Sequence, residues 1–386
     1  MKYRPPKNII VLSITSFFND LSSEMLVSVF PAFFVSVLKA GAGSLGLVEG
    51  LADAASNLIK IYAGRLSDTL QKRKPFILAG YTLSVVTRPL YLLVSNVFGV
   101  VGLRFTDRIG KGLREGPRDA IISLSTPKVE LGRAFGFHRM SDTLGAVGGP
   151  LIAYFILTKY PGGFHIVFLT AFVIGLIAII SICFVTEVVG EARKKNFSLS
   201  SLSIFSSEFK QYLLALFFLS MGSIPVAVLL LTTQHIGLAL ASIPLFYMLY
   251  NLSYAGFSFS AGKMSDRIGS KKIIATGYLV LIGSYAFLAT AQSTPVLVVG
   301  FLILGLFPAL TDGVQRALAS ELSPEEHRGK ALGFVNATAG MGLLFAGVVG
   351  GYTWEHFGST YALIGSSVFV FIGLVLLLRL KTTVRS

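Results

Sequence analysis

Two carboxylates lie one helical turn apart in the first apolar segment of the chain. Asp20 and Glu24 are four residues apart, so on a helix their side chains share one face. A charged group inside a membrane-spanning segment costs roughly 2.5–3.5 kcal/mol on insertion scales, which indicates a function or a partner for each. Neighbouring carboxylates in a low-dielectric setting also repel each other, and this favours proton uptake by one of them. The pair is predicted to bind and release a proton; the alternative is a static ion-pair network that fixes helix packing.

The second apolar segment carries a polar stripe. Glu49, Asp53, Asn57 and Lys60 follow the i, i+4, i+8, i+11 spacing of one helix face. Glu49 and Asp53 are predicted to take part in the same proton chemistry. The alternative is that these two acids face water or pair with a neighbouring helix.

Basic side chains accompany the acids in the first half of the chain. The residues predicted to bind substrate there are Arg88, Arg104, Arg108, His138, Arg139 and Asp142. Arginine binds carboxylate and phosphate groups through two parallel hydrogen bonds, so this set favours an anionic substrate. The alternative is that the basic groups only neutralise the acidic ones. In the second half Tyr247, Tyr250 and Asn251 are predicted to complete a site for an amphipathic organic molecule.

No cofactor and no metal site are expected. The histidines, His138, His165, His235, His327 and His356, show no ligand spacing. Cys183 is the only cysteine, so neither a disulfide nor a cysteine-ligated metal is predicted. The sequence contains no Gly-x-x-x-x-Gly-Lys-Ser/Thr loop, so nothing indicates ATP as an energy source.

The elements that would position these residues are long apolar helices. Hydrophobic residues make up 53% of the 386 residues and charged residues 13%, where soluble domains carry roughly 25% charged residues. Many apolar runs exceed the ~20 residues that cross a bilayer core. Backbone groups in hydrocarbon must bond within their own segment, so the runs are predicted to be helices. The chain is therefore predicted to be an all-α polytopic membrane protein.

Twelve spans are predicted, in two sets of six. They are 8–37, 45–64, 75–94, 97–123, 132–158, 164–186, 210–235, 242–262, 273–291, 295–320, 329–352 and 359–380. A polar, basic and Ser-rich segment separates the two sets. The predicted domains are an N-terminal six-helix bundle (1–186), a central cytoplasmic linker (187–209) and a C-terminal six-helix bundle (210–386).

The net charge of +14 is distributed by loop. Lys and Arg gather in alternate loops, whereas the intervening loops hold only Lys39 and Lys159. This bias places both termini in the cytoplasm and indicates contact with anionic lipid headgroups rather than nucleic acid. No small-residue cleavage site follows the first span, so it is predicted to be an uncleaved helix. The basic residues near the predicted cytoplasmic helix ends are expected to snorkel to the membrane surface: Lys60, Lys111, Arg114 and Arg118.

One short stretch of sequence occurs twice. Gly64-Arg65-Leu66-Ser67-Asp68 is followed 198 residues later by Gly262-Lys263-Met264-Ser265-Asp266, and a basic cluster follows each copy. Other pairs at offsets of 197–200 include Phe17-Phe18 with Phe217-Phe218, Arg118 with Arg316, and residues 132–137 with 329–334. An ordered series at one offset indicates that the chain is one half built twice. Such repeats are typical of secondary transporters, which bind substrate at the interface between the repeats.

The repeated stretch resembles the loop signature of the major facilitator superfamily (MFS). These are secondary transporters, here of bacterial type, with twelve transmembrane helices in two pseudo-symmetric six-helix bundles. In that family the signature aspartate docks against the partner half and latches one conformation. The resemblance implies a conformational latch formed by Gly64, Asp68, Arg118, Gly262, Asp266, Arg267 and Arg316. Thr69 and Gln71 stand where the signature usually has a basic residue and a glycine, which implies a weaker latch in the first copy.

The fifth span carries a second resemblance. Gly136, Gly145, Gly149 and Pro150 resemble the Gly-x8-Gly-x3-Gly-Pro pattern of the superfamily's antiporters. The resemblance implies export; the alternative is that these small residues only let helices approach closely. The fourth span, from Arg104, resembles the family's Arg-x-x-x-Gly-x-Gly-x-Gly pattern with Arg108 in place of the first glycine.

The acids of the first half are not repeated in the second half. The positions that match Asp20, Glu24, Glu49 and Asp53 hold Ser220, Ile224, Tyr247 and Asn251. A duplicated fold does not require this difference. Ion coupling is therefore predicted to reside in the N-terminal half.

Together these features predict a proton-coupled secondary active transporter that works by alternating access and is not an enzyme. It is expected to export an amphipathic or anionic compound by antiport. Two alternatives stay open: a proton-coupled importer (symporter) of an organic anion or siderophore-like compound, and a non-transporting membrane sensor or binding protein with the same fold. The expected partners are a small-molecule substrate, protons and the lipid bilayer, with no nucleic acid. The chain is expected to be a monomer in the inner (cytoplasmic) membrane.

Overall fold

The structure is a computed structural model that describes residues 5–127, 130–188 and 199–380. Within these ranges the chain is mostly helical and contains no β-strand. The all-α prediction is confirmed. Part of the predicted linker, residues 189–198, lies outside the described residues.

Six long helices make up the first half of the chain. They are α1 (Lys7–Ser36), α2 (Ala42–Leu70), α3 (Lys74–Leu90), α4 (Val97–Leu124), α5 (Leu131–Lys159) and α6 (Phe164–Ile182). Each begins close to the start of a predicted span. Helix α2 ends later than predicted, so Asp68 lies inside the helix and not in the loop after it.

The described second half contains helices of more varied length. They are α7 (Ser207–Met221), α8 (Val226–Leu229), α9 (Thr232–His235), α10 (Ile243–Ile268), α11 (Ser270–Ala289), α12 (Thr294–Glu321), α13 (Arg328–Phe345), α14 (Gly351–Phe357) and α15 (Ser359–Leu378). A π-helical segment, Ala346–Gly350, joins α13 to α14. Helix α10 encloses Asp266, as α2 encloses Asp68.

Nine segments of the described chain are long and apolar enough to cross a membrane, by length and composition alone. Helices α2, α4 and α10 are not among them, and they carry many of the charged and polar side chains discussed below. These three are 29, 28 and 26 residues long. With them the described chain is consistent with the twelve predicted spans.

The predicted span 210–235 is not one continuous helix, because the helix breaks after α7. Gly222 ends α7 and Pro225 precedes α8. Proline has no backbone N–H and disfavours helical geometry at the residue before it. The buried Tyr285 hydroxyl donates to the Gly222 carbonyl at 3.0 Å and accepts from the Ile224 N–H at 2.9 Å. One side chain therefore satisfies a backbone group on each side of the break.

The chain divides into two compact units that do not follow the helix order strictly. One unit comprises the described residues within Met1–Lys39, Ala55–Lys195 and Leu240–Met248. The other comprises those within Ala40–Ala54, Asn196–Ala239 and Leu249–Ser386. The division predicted from the sequence, at 186 and 210, stays a prediction.

The same helix contact is built once in each unit. A Cβ atom placed on Gly145 of α5 would lie 2.6 Å from Phe17 O, 2.8 Å from Leu21 N and 3.1 Å from Asp20 Cβ. A Cβ atom on Gly342 of α13 would lie 2.8 Å from Phe217 O, 3.1 Å from Met221 N and 2.5 Å from Ser220 Cβ. The contact atoms correspond one to one. The duplication read from the sequence is therefore also present in the packing.

In the structure, one pair of residues that the sequence repeat had matched is out of register by one residue. Helices α4 and α12 have the same length, and both ends of α12 lie 197 residues after those of α4. In this register Arg118 corresponds to Gln315, and Arg316 corresponds to Asp119. The match of Arg118 with Arg316 is therefore wrong. The sequence favoured it because the two arginines are identical residue types at a similar offset.

Candidate functional site

Two glycines of α5 place the two carboxylates of α1. A Cβ atom at Gly145 would lie 3.1 Å from Asp20 Cβ, and one at Gly149 would lie 3.1 Å from Glu24 Cβ. The backbones approach this closely because both positions lack a side chain. Asp20 and Glu24 are each partly exposed beside this contact. Half of the antiporter-like pattern of α5 therefore supports the acidic pair directly.

Glu24 has a phenolic partner. The Tyr247 hydroxyl donates to Glu24 Oε2 at 2.6 Å. Tyr247 lies in the segment Leu240–Met248, which belongs to the same compact unit as α1. The sequence predicts Tyr247 as a substrate ligand, and the structure places its hydroxyl on one of the predicted proton-coupling groups.

Asp20 lies beside an amide and a guanidinium group. The Asn19 amide donates to Asp20 Oδ1 at 3.0 Å. Arg118 of α4 donates to Ser16 Oγ at 3.3 Å, one turn before Asp20 on α1, and forms an ion pair with Asp119 at 3.1 Å. The charges of Arg118 and Asp20 are close enough to interact. Arg118 therefore lies near the acids of α1.

His138 and Asp142 extend this group along α5. Their side chains are one turn apart and buried, with 3% and 8% of each residue exposed. His138 Nε2 lies 3.7 Å from Asp142 Oδ1. Asp142 precedes Gly145 by three residues, and its charge interacts with that of Asp20. The structure thus brings together five predicted site residues: Asp20, Glu24, His138, Asp142 and Tyr247.

Two of the predicted substrate-binding arginines are buried inside their own unit. Arg88 is 1% exposed and donates to Ser22 Oγ at 2.5 Å, to Asn19 Oδ1 at 3.3 Å and to the Ala171 carbonyl at 3.4 Å. Arg104 is also 1% exposed, and its guanidinium lies 5.1 Å from the centre of the Phe30 ring. Arg104 forms an ion pair with Asp107 at 3.5 Å. These arginines join α1 to neighbouring helices.

The prediction for Arg114 is wrong, and Tyr81 was not predicted as a functional residue. Arg114 is 6% exposed, stacks over the Tyr81 ring at 4.8 Å and donates to Ser84 Oγ at 2.7 Å. It therefore does not snorkel to the membrane surface. Tyr81 is fully buried, and its counterpart Tyr278, 197 residues later, is also buried. A polar aromatic residue repeated at the duplication offset was the signal in the sequence.

Two lysines were also expected to snorkel to the membrane surface, and both lie beside Glu115 of α4. Lys60 forms an ion pair with Glu115, and Lys111 lies 3.9 Å from the same carboxylate. The side chains of Lys60 and Glu115 are about one-fifth exposed. The side chain of Lys111 is more exposed than that of Lys60, at 42% against 21%.

The remaining predicted site residues are spread over both units. Arg108 and Tyr250 are half-buried, Arg139 is exposed, and Asn251 is buried. Glu49 is 4% exposed and Asp53 is half-buried. Both acids lie in the part of α2 that belongs to the second unit, whereas Asp20 and Glu24 lie in the first.

In the first copy of the predicted latch, the aspartate pairs with a basic residue of the same short stretch of sequence. Asp68 forms an ion pair with Arg73 at 2.8 Å, not with Arg118. The chain turns back after α2 through Gln71, whose φ of 54° lies in the left-handed region. The Glu187 carboxylate accepts hydrogen bonds from the N–H groups of Arg73 and Lys74 at 3.0 and 2.9 Å. The start of the predicted linker thereby caps α3.

The second copy of the latch is open to solvent. Asp266, Arg267 and Arg316 are exposed. A Cβ atom at Gly64 or Gly262 would meet no described atom within 4 Å. Gly269 has a φ of 93° and corresponds to Gln71, so both copies need the left-handed conformation at this turn. Among the described residues no cluster of three or more potential metal ligands occurs.

The comparisons with known proteins agree on one family. The profile described as Major Facilitator Superfamily matches residues 12–224 and 212–386. An uncharacterized MFS-type transporter of Methanocaldococcus jannaschii is 35% identical over 378 residues, which cover 96% of this chain and 94% of that protein. A multi-drug resistance efflux pump PmrA homolog of Lactococcus lactis subsp. lactis is 26% identical, with 96% and 93% covered. The crystal structure of a mutant of the nucleoside transporter NupG superposes with a TM-score of 0.80 at 15% identity, covering 96% and 98%.

Proposed function

Because the chain belongs to the Major Facilitator Superfamily, a family of multi-pass membrane transporters and not of enzymes, we propose that it is a proton-coupled secondary active transporter of a small organic solute. One observation carries the proposal. The carboxylate pair of α1, Asp20 and Glu24, is held against α5 at Gly145 and Gly149. A proton moved down 100 mV supplies ~2.3 kcal/mol, which sustains about a 50-fold concentration ratio at one proton per solute.

The difference between the two halves supports proton binding at this pair. Helix α7 makes the same contact with Gly342 through Ser220, so the packing requires no acid at this position. An acid retained in a spanning helix without a packing need indicates a function. We therefore assign proton binding to Asp20 and Glu24, with Arg118 as the neighbouring cation. Glu49 and Asp53 remain further candidates for the same role.

Two observations favour export over import. Gly145, Gly149 and Pro150 follow the antiporter-like pattern, and the glycines contact the helix that carries the coupling acids. A change at Asp20 or Glu24 would therefore be transmitted directly to α5. The similar protein of Lactococcus lactis is named an efflux pump. We propose antiport of a proton against an outgoing solute by alternating access.

The accessible polar residues define the proposed substrate class. Arg139 is exposed, while Arg108 and Tyr250 are half-buried, so a ligand can reach part of each side chain. The two guanidinium groups, both in the first unit, suit an anionic or amphipathic organic compound. Buried Arg88 and Arg104 would instead hold the helices in place. In the second unit Tyr250 and the buried Asn251 stay predicted substrate ligands.

The membrane setting and the latch are part of the same proposal. We assign the chain to the cytoplasmic (inner) membrane with both termini in the cytoplasm, because basic residues gather in alternate loops. We propose that it works as a monomer. We propose that Asp68 and Asp266 hold one conformation. In the first copy Arg73 competes with any other cation for Asp68, since the two already form an ion pair.

Proton flux in proteoliposomes tests the proposal. A pH-sensitive dye is sealed inside vesicles, and panels of organic anions, lipophilic cations and neutral solutes are added outside. An inward solute gradient drives protons out through an antiporter and in through a symporter, whatever the orientation of the protein. Asp20→Asn and Glu24→Gln are expected to abolish the signal. Glu326→Gln, which alters a carboxylate on an exposed side chain (77%), is the control and is expected to keep it.

The sign of the dye response separates the candidate functions. Alkalinisation of the lumen supports antiport, and acidification supports an importer with the same coupling residues. A solute that raises the thermal stability of the protein without moving protons would contradict coupling and indicate a sensor or a uniporter. Proton flux that persists in both Asp20→Asn and Glu24→Gln would show that these acids do not carry the transported proton.

A further inference from the structure

Three buried side chains near the acids of α1 carry polar atoms that have no hydrogen bond with any described residue. These atoms are both ring nitrogens of His138, the Asp142 Oδ1 atom and the Tyr81 hydroxyl. Buried polar groups in folded proteins are nearly always hydrogen-bonded, and each exception calls for an explanation. His138 and Asp142 are the two of these residues whose side chains commonly act as general acids and bases. Their exposed fractions are only 3% and 8%.

The two residues continue the row of acids along α5. Asp142 lies three residues before Gly145, the point of contact with Asp20, and His138 lies one turn further. The seven residues from His138 to Gly145 span about 10 Å of helix axis. His138, Asp142, Asp20 and Glu24 therefore form a series of titratable groups that ends at the Tyr247 hydroxyl.

The second half shows that the fold does not need this pair. At the offset of 197 residues that relates α5 to α13, His138 corresponds to Val335 and Asp142 to Ala339. Val335 is buried at 3% exposure, as His138 is. An apolar pair thus fills the same positions of the same helix contact. Replacing these side chains by an imidazole and a carboxylate without hydrogen bonds lowers stability, so a structural role does not account for them.

The charged groups that face the pair come from three neighbouring helices and from α5 itself. Arg118 and Asp119 of α4 and Arg139 of α5 act on His138. Asp20 of α1 faces Asp142, Tyr81 of α3 lies near both Asp20 and Asp142, and Arg114 of α4 lies over the Tyr81 ring and near Asp20. The surroundings contain charges of both signs.

We propose that His138 and Asp142 form a proton-transfer pair that exchanges protons with Asp20. The proposal rests on the proposed function of Asp20 and Glu24. In the transfer, the N–H bond at His138 Nε2 breaks and an O–H bond forms at Asp142 Oδ1, so the imidazolium and carboxylate become a neutral imidazole and a neutral acid. The proton then passes from Asp142 to the Asp20 carboxylate. The gap of 3.7 Å must shorten by about 0.9 Å to reach hydrogen-bond distance.

The pair is assigned to proton transfer and not to substrate binding, and the two roles give different results. His138→Val and Asp142→Ala copy the residues of the second half, and Asp142→Asn keeps the shape of the side chain. Each variant is reconstituted, and its thermal unfolding in detergent is measured to confirm that it is folded. Two transport modes are then compared with a solute that the panel has identified: uphill transport driven by a pH gradient, and exchange of the solute at equal pH on both sides.

A transfer role predicts a selective loss. Uphill transport is expected to fall about 10- to 100-fold in all three variants, because removing one proton-transfer group commonly costs this much or more. Exchange at equal pH is expected to stay within about twofold. Infrared difference spectra between acid and alkaline pH are expected to lose one carboxylic C=O band in Asp142→Asn, and that band should titrate at a shifted pH in His138→Val.

The outcomes separate this inference from the proposed function. If the wild-type protein moves protons and Asp20→Asn abolishes the flux, but His138→Val and Asp142→Asn transport normally, only the proton-transfer pair is refuted. Loss of equal-pH exchange together with uphill transport would show substrate binding and would also overturn the inference. Absence of proton flux in the wild-type protein would refute both.

Discussion

The contact between Gly145 and α1 gives the sharpest prediction. In Gly145→Ala the new Cβ atom would lie 2.6 Å from Phe17 O, where ordinary contacts begin at 3.4 Å, so the two helices must separate locally by about 0.8 Å. Overpacking of this kind costs roughly 1–3 kcal/mol. The displaced segment carries Asp20, and proton-coupled transport is expected to fall along with stability.

Gly136 supplies the matched control on the same helix. A Cβ atom at Gly136 meets no described atom within 4 Å. Both substitutions gain the same ~0.5–1 kcal/mol of helix preference from alanine. The difference between Gly145→Ala and Gly136→Ala therefore isolates the overpacking, and unfolding by titration with sodium dodecyl sulfate from detergent micelles measures it.

Gly342→Ala separates the effect on stability from the effect on coupling. Its Cβ atom would lie 2.5 Å from Ser220 Cβ, in the equivalent contact without an acid. We expect a similar loss of stability and unchanged coupling of solute to proton per transport event. Equal stability of Gly145→Ala and Gly136→Ala would refute the close approach of α1 and α5. A similar loss of coupling in Gly342→Ala would refute the special role of the first contact.

Three further predictions concern the helix ends and the helix break. Tyr285→Phe removes the hydroxyl that satisfies a backbone group on each side of the break after α7, and it should lower the free energy of unfolding by about 1–3 kcal/mol; Tyr361→Phe, on a residue that is 66% exposed, should have no effect. Gln71→Gly should stabilise the protein by about 1 kcal/mol, because it relieves a left-handed residue, and Gly269→Gln should destabilise it by a similar amount; a stabilising Gly269→Gln would contradict this. Glu187→Ala should cost about 0.5–2 kcal/mol, since two N–H groups at the start of α3 lose their acceptor, and hydrogen exchange at these amides should speed up.

The helices and the shared helix face of Asp20 and Glu24 were predicted correctly from the sequence, because both depend on local pattern. Apolar runs fix where helices lie in a membrane, and a spacing of four residues fixes which side chains share a face. Spans near the observed α1–α6 and the shared helix face of Asp20 and Glu24 follow from this. The break after α7 was missed because Pro225 alone does not distinguish a kink from a stop, and the Tyr285 hydroxyl that stabilises the break is distant in sequence.

The partners of the charged residues could not be predicted from the sequence. Arg114 stacks on Tyr81, and Asp68 pairs with Arg73, because helix crossing and turn geometry bring them together. A register error of one residue was enough to match Arg118 with Arg316. Charge counting in the sequence identifies a polar group of residues. It does not show which cation neutralises which acid.

The repeated glycine contact has a consequence for how such a carrier can evolve. The three atoms nearest to a Cβ placed at Gly145 or Gly342 are two backbone atoms and the Cβ of the residue that faces it, Asp20 or Ser220. The identity of that residue is therefore free to change between an aspartate and a serine while the helices keep their separation. If the proposed function holds, the number of proton-binding groups can then change without a change in the helix contact. Ser220→Asp is the substitution by which the second half could acquire a charge of its own.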